Sequence, residues 1–232
     1  MNTYIGLIPA RSGSKGIINK NLKKIEKLSL VEKAVKNLKS SKKIKDVFVS
    51  SDSQKILSKI SKFGGIPFKR LKKFATDRTT GNDVIKNFIS KKKLRINTIL
   101  VYHQPTSPLK NNFHISKAID IFEKKNPLAL ISCYKTDSEA IFKSFVMSKN
   151  TIKPLFGLKK NLSNRQDIRD VLVPNGAIFI FRLNKKFFEK GINFDKTIPY
   201  IMKKTDTIDI NTITDLNIAR KILKPKLRYE KI

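Results

Sequence analysis

From Tyr4 to Cys133 the chain alternates short apolar runs with stretches whose apolar residues recur at helical spacing. This alternation narrows the possible folds more than any other feature. Tyr4–Pro9 is the first apolar run, and Leu30, Val31, Ala34, Val35 and Leu38 then fall on one face of a predicted helix. Val47–Ser50 predicts a strand. Ile56, Leu57, Ile60 and Phe63 form the next helical stripe, which Gly64-Gly65 ends. Ile66–Phe68 predicts a short strand, Val84, Ile85, Phe88 and Ile89 a helix, and Thr98–Tyr102 a buried strand. Ile115, Ala118, Ile119 and Phe122 mark a further helix, and Leu128–Cys133 a further strand. Strand and helix taking turns at this spacing predict an α/β fold. The sheet is mostly parallel with helices on both faces, because parallel neighbours need a crossover that a helix supplies.

Beyond residue 134 the pattern loosens. Ala140–Met147 predicts a strand, Thr151–Arg169 is polar and basic without a period, and Ala177–Arg182 predicts a strong strand. Leu216, Ala219, Ile222 and Leu223 mark a last helix. Residues 1–232 read as one domain, with residues 135–195 an excursion from the sheet that forms a subdomain or a subunit contact. No internal repeat, linker or low-complexity tail interrupts it.

Charge bears on the partner rather than the fold. The chain carries a formal net charge of +32 from 50 Lys+Arg against 18 Asp+Glu, and such a balance raises nucleic acid as a ligand. Only nine of the basic residues are arginine, however, and the lysines are spread along the chain, with Lys91–Lys93 the longest run. Arginine is the residue that grips phosphate and guanine bidentately. No zinc-finger, RNP or basic-zipper pattern occurs, so a solvated basic surface is the favoured reading and nucleic acid the distant alternative. The 40% hydrophobic content supplies a core. A single cysteine, Cys133, excludes a disulfide framework and a multi-cysteine metal site. No run of 18 apolar residues occurs, which excludes a membrane-spanning helix. The first residues read as a strand rather than a signal peptide, so the expected location is cytoplasmic.

Ligands of open parallel sheets sit outside the carboxyl ends of the strands, and four polar clusters fall near such ends. In Pro9–Gly16, running on to Lys20-Asn21, small residues let backbone amides approach an anion while Arg11, Lys15 and Lys20 supply positive charge. That chemistry suits a triphosphate, although neither a Walker A nor a dinucleotide fingerprint is present. An ordinary basic Gly/Ser turn explains the same residues equally well. In His103–Leu109 two prolines stiffen a loop after a buried strand and pre-organise Gln104, Thr106 and Ser107, or simply make a rigid turn. The alternation of Ile208-Asp209-Ile210-Asn211 predicts a strand with Asp209 and Asn211 on one side. That pair can hold Mg²⁺ or lead into a capped helix. Asn175-Gly176, preceded by Arg165-Gln166-Asp167, reads as a turn. With two histidines in the chain, a His-centred triad is not expected.

Taken in order, these stretches resemble the acylneuraminate cytidylyltransferases, the CMP-sialic acid synthetases and their relatives. Ile8–Ile17 with Lys20-Asn21 is similar to the family's opening nucleotide loop. Val49–Ser53 resembles V-S-T-D-[DS], and Phe74–Asp77, after Arg70, resembles L-A-T-D. Gln104–Lys110 is similar to Q-P-T-S-P-L-R, the most specific of the motifs. Lys153–Phe156, Arg165–Asp167, Asn175–Ile178, Thr197–Tyr200 and Ile208–Thr212 with Asp215-Leu216 match the remainder.

The resemblance implies a three-layer αβα fold like that of the nucleotide-diphospho-sugar transferases, built as a homodimer through the 135–195 excursion. It implies that CTP and a nine-carbon 2-keto-3-deoxy sugar acid, of the N-acetylneuraminate or legionaminate type, give a CMP-sugar and pyrophosphate with Mg²⁺. A pseudaminic acid enzyme is the nearest alternative. Carried over by position, Arg11, Ser14, Lys15 and Lys20 hold the triphosphate, and Asn21, Arg70, Thr79 and Thr80 hold the nucleoside. Gln104, Thr106, Ser107 and Asn175 face the sugar acid, and Arg165 reaches its carboxylate in the neighbouring subunit. Asp209 and Asn211 hold the metal. The family usually ends that motif D-I-D, so Asn211 replaces one anionic ligand by a neutral amide, which implies weaker metal binding or a weakly active homologue. Thr79–Gly81 replaces an Ala/Ser-rich stretch, and His103 stands where an apolar residue is usual.

Overall fold

A computed structural model describes residues 4–192, 194 and 196–224. Strand β1 (Tyr4–Pro9) leads through a long loop to the small hairpin β2 (Lys24–Ile25) and β3 (Leu28–Ser29). Helix α1 (Leu30–Lys39), β4 (Ile44–Ser51), α2 (Gln54–Ile60), β5 (Ile66–Lys69) and α3 (Gly81–Lys92) follow. Next come β6 (Ile99–His103), α4 (Asn112–Lys125) and β7 (Ala129–Lys135). The chain then leaves the sheet for α5 (Ser138–Phe142), the hairpin β8 (Phe145–Ser148) and β9 (Thr151–Pro154), and α6 (Leu158–Asn161). It returns as β10 (Leu172–Arg182), α7 (Lys185–Lys190), β11 (Thr197–Ile201) and α8 (Ile213–Leu223).

Seven strands form the main sheet in the order β11-β7-β10-β6-β1-β4-β5. All run parallel except β10, which is antiparallel to both β6 and β7. Central strands are buried on both faces, which is why β1 and β6 read as continuous apolar runs. One face packs against α1, α2 and α4 through residues such as Val35, Leu38, Ile60, Ile119 and Phe122. The other packs against α3 and α7 through Ile85, Phe88 and Phe187. The three-layer αβα expectation is therefore met. Among the described residues no helix is long and apolar enough to cross a membrane.

From β1 the chain builds outward through β4 to β5, then returns to lay β6 on the other side of β1. The crossovers thus diverge between β1 and β6, and the carboxyl ends of these two strands open a crevice. The loop after β1 and the loop after β6 form its walls. Helix starts are fixed by side chains: Ser29 with Glu32, Thr80 with Asp83 and Thr212 with Asp215 each form a reciprocal capping box.

Three expectations are corrected. Ala140–Met147 is not one strand, because Asp137 accepts bonds from the amides of Glu139 and Ala140 and starts α5; only Phe145 onward is extended. Within 135–195, residues 172–182 form the longest strand of the sheet, so the part that leaves the sheet is 136–171. Ile208–Asn211 is not a strand. Its Ile210 amide donates to the Thr106 carbonyl at 2.8 Å, and its side chain is buried against Ile17, Leu30 and Leu216. The alternation reflects one apolar anchor between two polar neighbours, with no sheet partner.

Candidate functional site

The crevice is a cleft of about 550 Å³. Arg11, Ser14, Lys15, Lys20, Asn21, Arg70, Thr79, Thr80, Gln104, Thr106, Asp209 and Asn211 all line it. Their separation in sequence is bridged by bonds that fix the loops. The Ser12 amide and hydroxyl both donate to the Asp52 carboxylate, at 2.9 and 2.5 Å, tying the loop after β1 to the end of β4. Buried Asn21 donates to the Arg11 carbonyl at 2.9 Å. Lys20 Nζ donates to the Ile210 carbonyl at 2.7 Å, joining the same loop to the segment before α8. Gly16 lies so close to the Asn211 carbonyl that a Cβ there has no room.

Charge is concentrated on one wall. Arg11 pairs with Asp77 at 2.7 Å, and Lys15 pairs with the other oxygen of the same carboxylate at 3.1 Å. These bonds, from Arg11 first and Lys15 second, hold the Asp77 carboxyl below its ordinary value. Burial pulls the Lys20 ammonium below its ordinary value against the opposing pull of Asp209. Burial pushes the Asp52 carboxyl up, but the bonds from Ser12 and the nearby Arg70 outweigh it and leave the carboxyl lowered.

Arg70 is 4% exposed, and its Nε and Nη2 have no hydrogen-bond partner among the described residues. Arg70 lines the cleft, and a buried guanidinium with two unpartnered nitrogens there is suited to acceptors on a ligand. Tyr102 forms the floor beside it, its hydroxyl pushed up to about 12, chiefly by burial. Asp209 Oδ1 is likewise buried without a partner, while Oδ2 accepts from Asn211 Nδ2 at 3.0 Å. That orphaned oxygen fits a hard cation. No group of three or more His, Cys, Asp or Glu is placed to hold a metal among the described residues. A cation held at Asp209 would have to take most of its other bonds from water and ligand oxygens.

Two expected residues are not brought to the cleft. Ser107 is buried behind its loop, its hydroxyl donating to the Asn175 carbonyl at 3.5 Å. The Asn175 side chain accepts from Ser132 Oγ at 2.6 Å and donates to Met202 Sδ at 3.3 Å, so it braces β10 internally. Arg165, expected at the neighbouring subunit's site rather than at this cleft, lines a separate hollow with Asp137, Glu139 and Asp170. Asp52, Asp77 and Tyr102 are functional neighbours that the sequence did not assign, because their partners lie far away in the chain. Gly176 belongs with them: its φ of +69° is one that L side chains rarely adopt, and a Cβ there would lie 2.7 Å from Gln104 Oε1. The Asn-Gly dipeptide was the one available signal.

Residues 5–191 match the model of the family described as Cytidylyltransferase. The chain is 29% identical over 215 residues to an N-acylneuraminate cytidylyltransferase of Streptococcus agalactiae serotype III (strain NEM316), covering 91% of this chain and 51% of that protein. It thus spans about half the length of that relative. It is 27% identical over 224 residues to the pseudaminic acid cytidylyltransferase of Campylobacter jejuni subsp. jejuni serotype O:2 (strain ATCC 700819 / NCTC 11168), covering 94% of this chain and 95% of that one. Among solved structures it is similar in fold to CMP:2-keto-3-deoxy-manno-octonic acid synthetase complexed with CTP. The TM-score is 0.68 at 15% identity, over 95% of this chain and 98% of the other.

Proposed function

The chain belongs to the cytidylyltransferase family, and from that premise we propose that it couples CTP to a nine-carbon 2-keto-3-deoxy sugar acid of the N-acetylneuraminate or legionaminate type, releasing pyrophosphate. The observation that carries this reading is the cleft at the β1/β6 crevice, where Arg11, Lys15 and Lys20 gather beside Arg70, whose buried Nε and Nη2 have no hydrogen-bond partner among the described residues. Both substrates are anions, and a cation-lined cleft suits them.

In this reaction the anomeric hydroxyl of the acid attacks the α-phosphorus in line. A new P–O bond forms, the α–β phosphoanhydride bond breaks, pyrophosphate leaves with the electron pair, and the hydroxyl proton passes to solvent. Arg11, Lys15 and Lys20 neutralise charge on the triphosphate as it redistributes, and Arg70, Thr79 and Thr80 orient the nucleoside. Gln104 and Thr106 receive the acid on the opposite wall. Positioning and electrostatic stabilisation dominate such a transfer, with little covalent work for the protein. Mg²⁺ belongs to this reading: Asp209, helped by Asn211, would hold it, and the ion would supply positive charge at the phosphates.

The neutral amide of Asn211 sits beside the proposed ligand, so restoring a carboxylate should tighten metal binding. Asn211→Asp is expected to lower the Mg²⁺ concentration for half-maximal activity by roughly an order of magnitude. An unchanged midpoint would remove Asn211 from the metal site.

The function itself is tested by pyrophosphate release from CTP with a panel of N-acetylneuraminate, legionaminate and pseudaminate. Release with one of the first two is expected. Release with pseudaminate alone would move the chain to the sister activity, which the Campylobacter jejuni relative makes the nearest alternative. Silence with every acid, together with tight, salt-sensitive nucleic-acid binding, would overturn the proposal. A homodimer and a cytoplasmic location, where CTP is made, complete this reading. In support of the dimer, Phe145, Met147, Ile152, Leu158 and Leu162, all in the 136–171 excursion, are exposed in the single chain.

A further inference from the structure

We infer that Lys110 is a positioning residue whose buried ammonium holds the 104–110 loop in the shape that receives the sugar acid. The inference rests on the reading above that Gln104 meets that acid. Lys110 is 1% exposed and among the largest fully buried side chains of the chain. A lysine is almost never buried so completely unless its charge is paired or hydrogen-bonded. Here the ammonium turns back along its own loop and donates to the Gln104 carbonyl, six residues earlier. At the other end the Lys110 carbonyl accepts from Asn37 Nδ2 on α1 at 2.8 Å. The loop between these anchors carries Pro105 and Pro108, so few conformations remain to it.

The ammonium lies behind the loop, outside the cleft, in a small space shared with Leu30, Ala34, Asn37 and His103. Burial, countered only by the field of Asp209, pulls it well below its ordinary value. Burial first, and the neighbouring Lys110 second, pull the fully buried His103 well below its own value. An apolar side chain of the same length would fill this space without such a desolvation cost. What it could not do is grip the Gln104 carbonyl and so set where the Gln104 side chain enters the cleft. The role acts through Gln104, so it should appear in the affinity for one substrate and not the other.

The test compares wild type with K110M, which keeps the stem and removes the donor, and with K110R, which keeps a donor. K110M is expected to raise KM for the accepted acid about 10-fold or more while KM for CTP stays within about 2-fold, and K110R to recover most of the loss. Hydrogen exchange is expected to quicken about 10-fold at the amides between Gln104 and Leu109 and to stay unchanged in the Arg11–Asn21 loop. Equal rises in both KM values, or unchanged exchange in 104–109, would overturn the inference. Should K110M fail to fold, N37A loosens the same loop from its other end. It should shift the acid KM selectively, and an unselective or absent shift would overturn the inference equally. A wild-type enzyme silent with every acid would instead overturn the proposed function and the sugar-acid half of this inference. The exchange measurement would still decide whether Lys110 holds the loop.

Discussion

Asp209→Asn is expected to lower kcat by about 10²–10³-fold, the range seen when one electrostatic group that acts on the transition state is removed. The substitution keeps the shape of the side chain and removes its charge. Asp209 carries the orphaned buried oxygen of the cleft, and its other oxygen is held by Asn211. It is also the carboxylate whose field most favours the charged form of Lys20, which burial opposes. The asparagine variant would therefore lose the proposed metal ligand and leave the Lys20 ammonium without its main counter-charge. Pyrophosphate release at saturating CTP, acid and Mg²⁺ reads the first effect, and a melting temperature close to wild type shows that the fold is intact. A kcat within about 3-fold of wild type would remove Asp209 from the mechanism.

Gly16→Ala is expected to lower kcat/KM by about 10²-fold or more, through displacement rather than loss of any functional group. Replacing Gly by Ala at a compatible position stabilises a protein by about 0.4–1 kcal/mol, because it restricts the unfolded chain. Gly16 is not such a position. The atom a Cβ would strike is the backbone carbonyl of Asn211, which cannot swing aside as a side-chain tip can. Asn211 directly precedes Thr212, the N-cap of α8, and its neighbour Ile210 is fixed twice, its carbonyl accepting from Lys20 Nζ and its amide donating to the Thr106 carbonyl. The loop after β1 must yield instead, carrying Lys15 and Lys20 away from Asp209. An alanine variant with wild-type kcat/KM would show that the two segments need not touch.

Much of the architecture was legible because apolar period is a local signal. β1, β4, β6 and β7 follow from short continuous apolar runs, and helices α1 to α4 from apolar residues three or four apart. The direction of β10 was not legible: Ala177–Arg182 reads as a strand whether it runs with its neighbours or against them, and only the long return path through 136–171 decides it. The cleft was legible where its residues are grouped, as in Pro9–Asn21 and Gln104–Thr106. It was illegible where a contact joins distant residues, as Asp52 joins Ser12 across 40 positions. Lys110 shows a different limit. In a chain with so many lysines nothing in the local pattern separates the one that is buried from those that cover the surface.

Asp77 changes what ligand binding means at this site. Arg11 and Lys15 already share a resident counter-ion, so on the proposed reading a triphosphate would enter by displacing one anion with another. The resting protein is spared the repulsion of two bare guanidinium and ammonium groups, and part of the gain on binding goes to releasing Asp77. Because that neutralisation is intramolecular, fewer salt anions are condensed on the pair beforehand and fewer are released when CTP arrives. CTP binding should accordingly weaken less steeply with ionic strength than a net charge of +32 suggests.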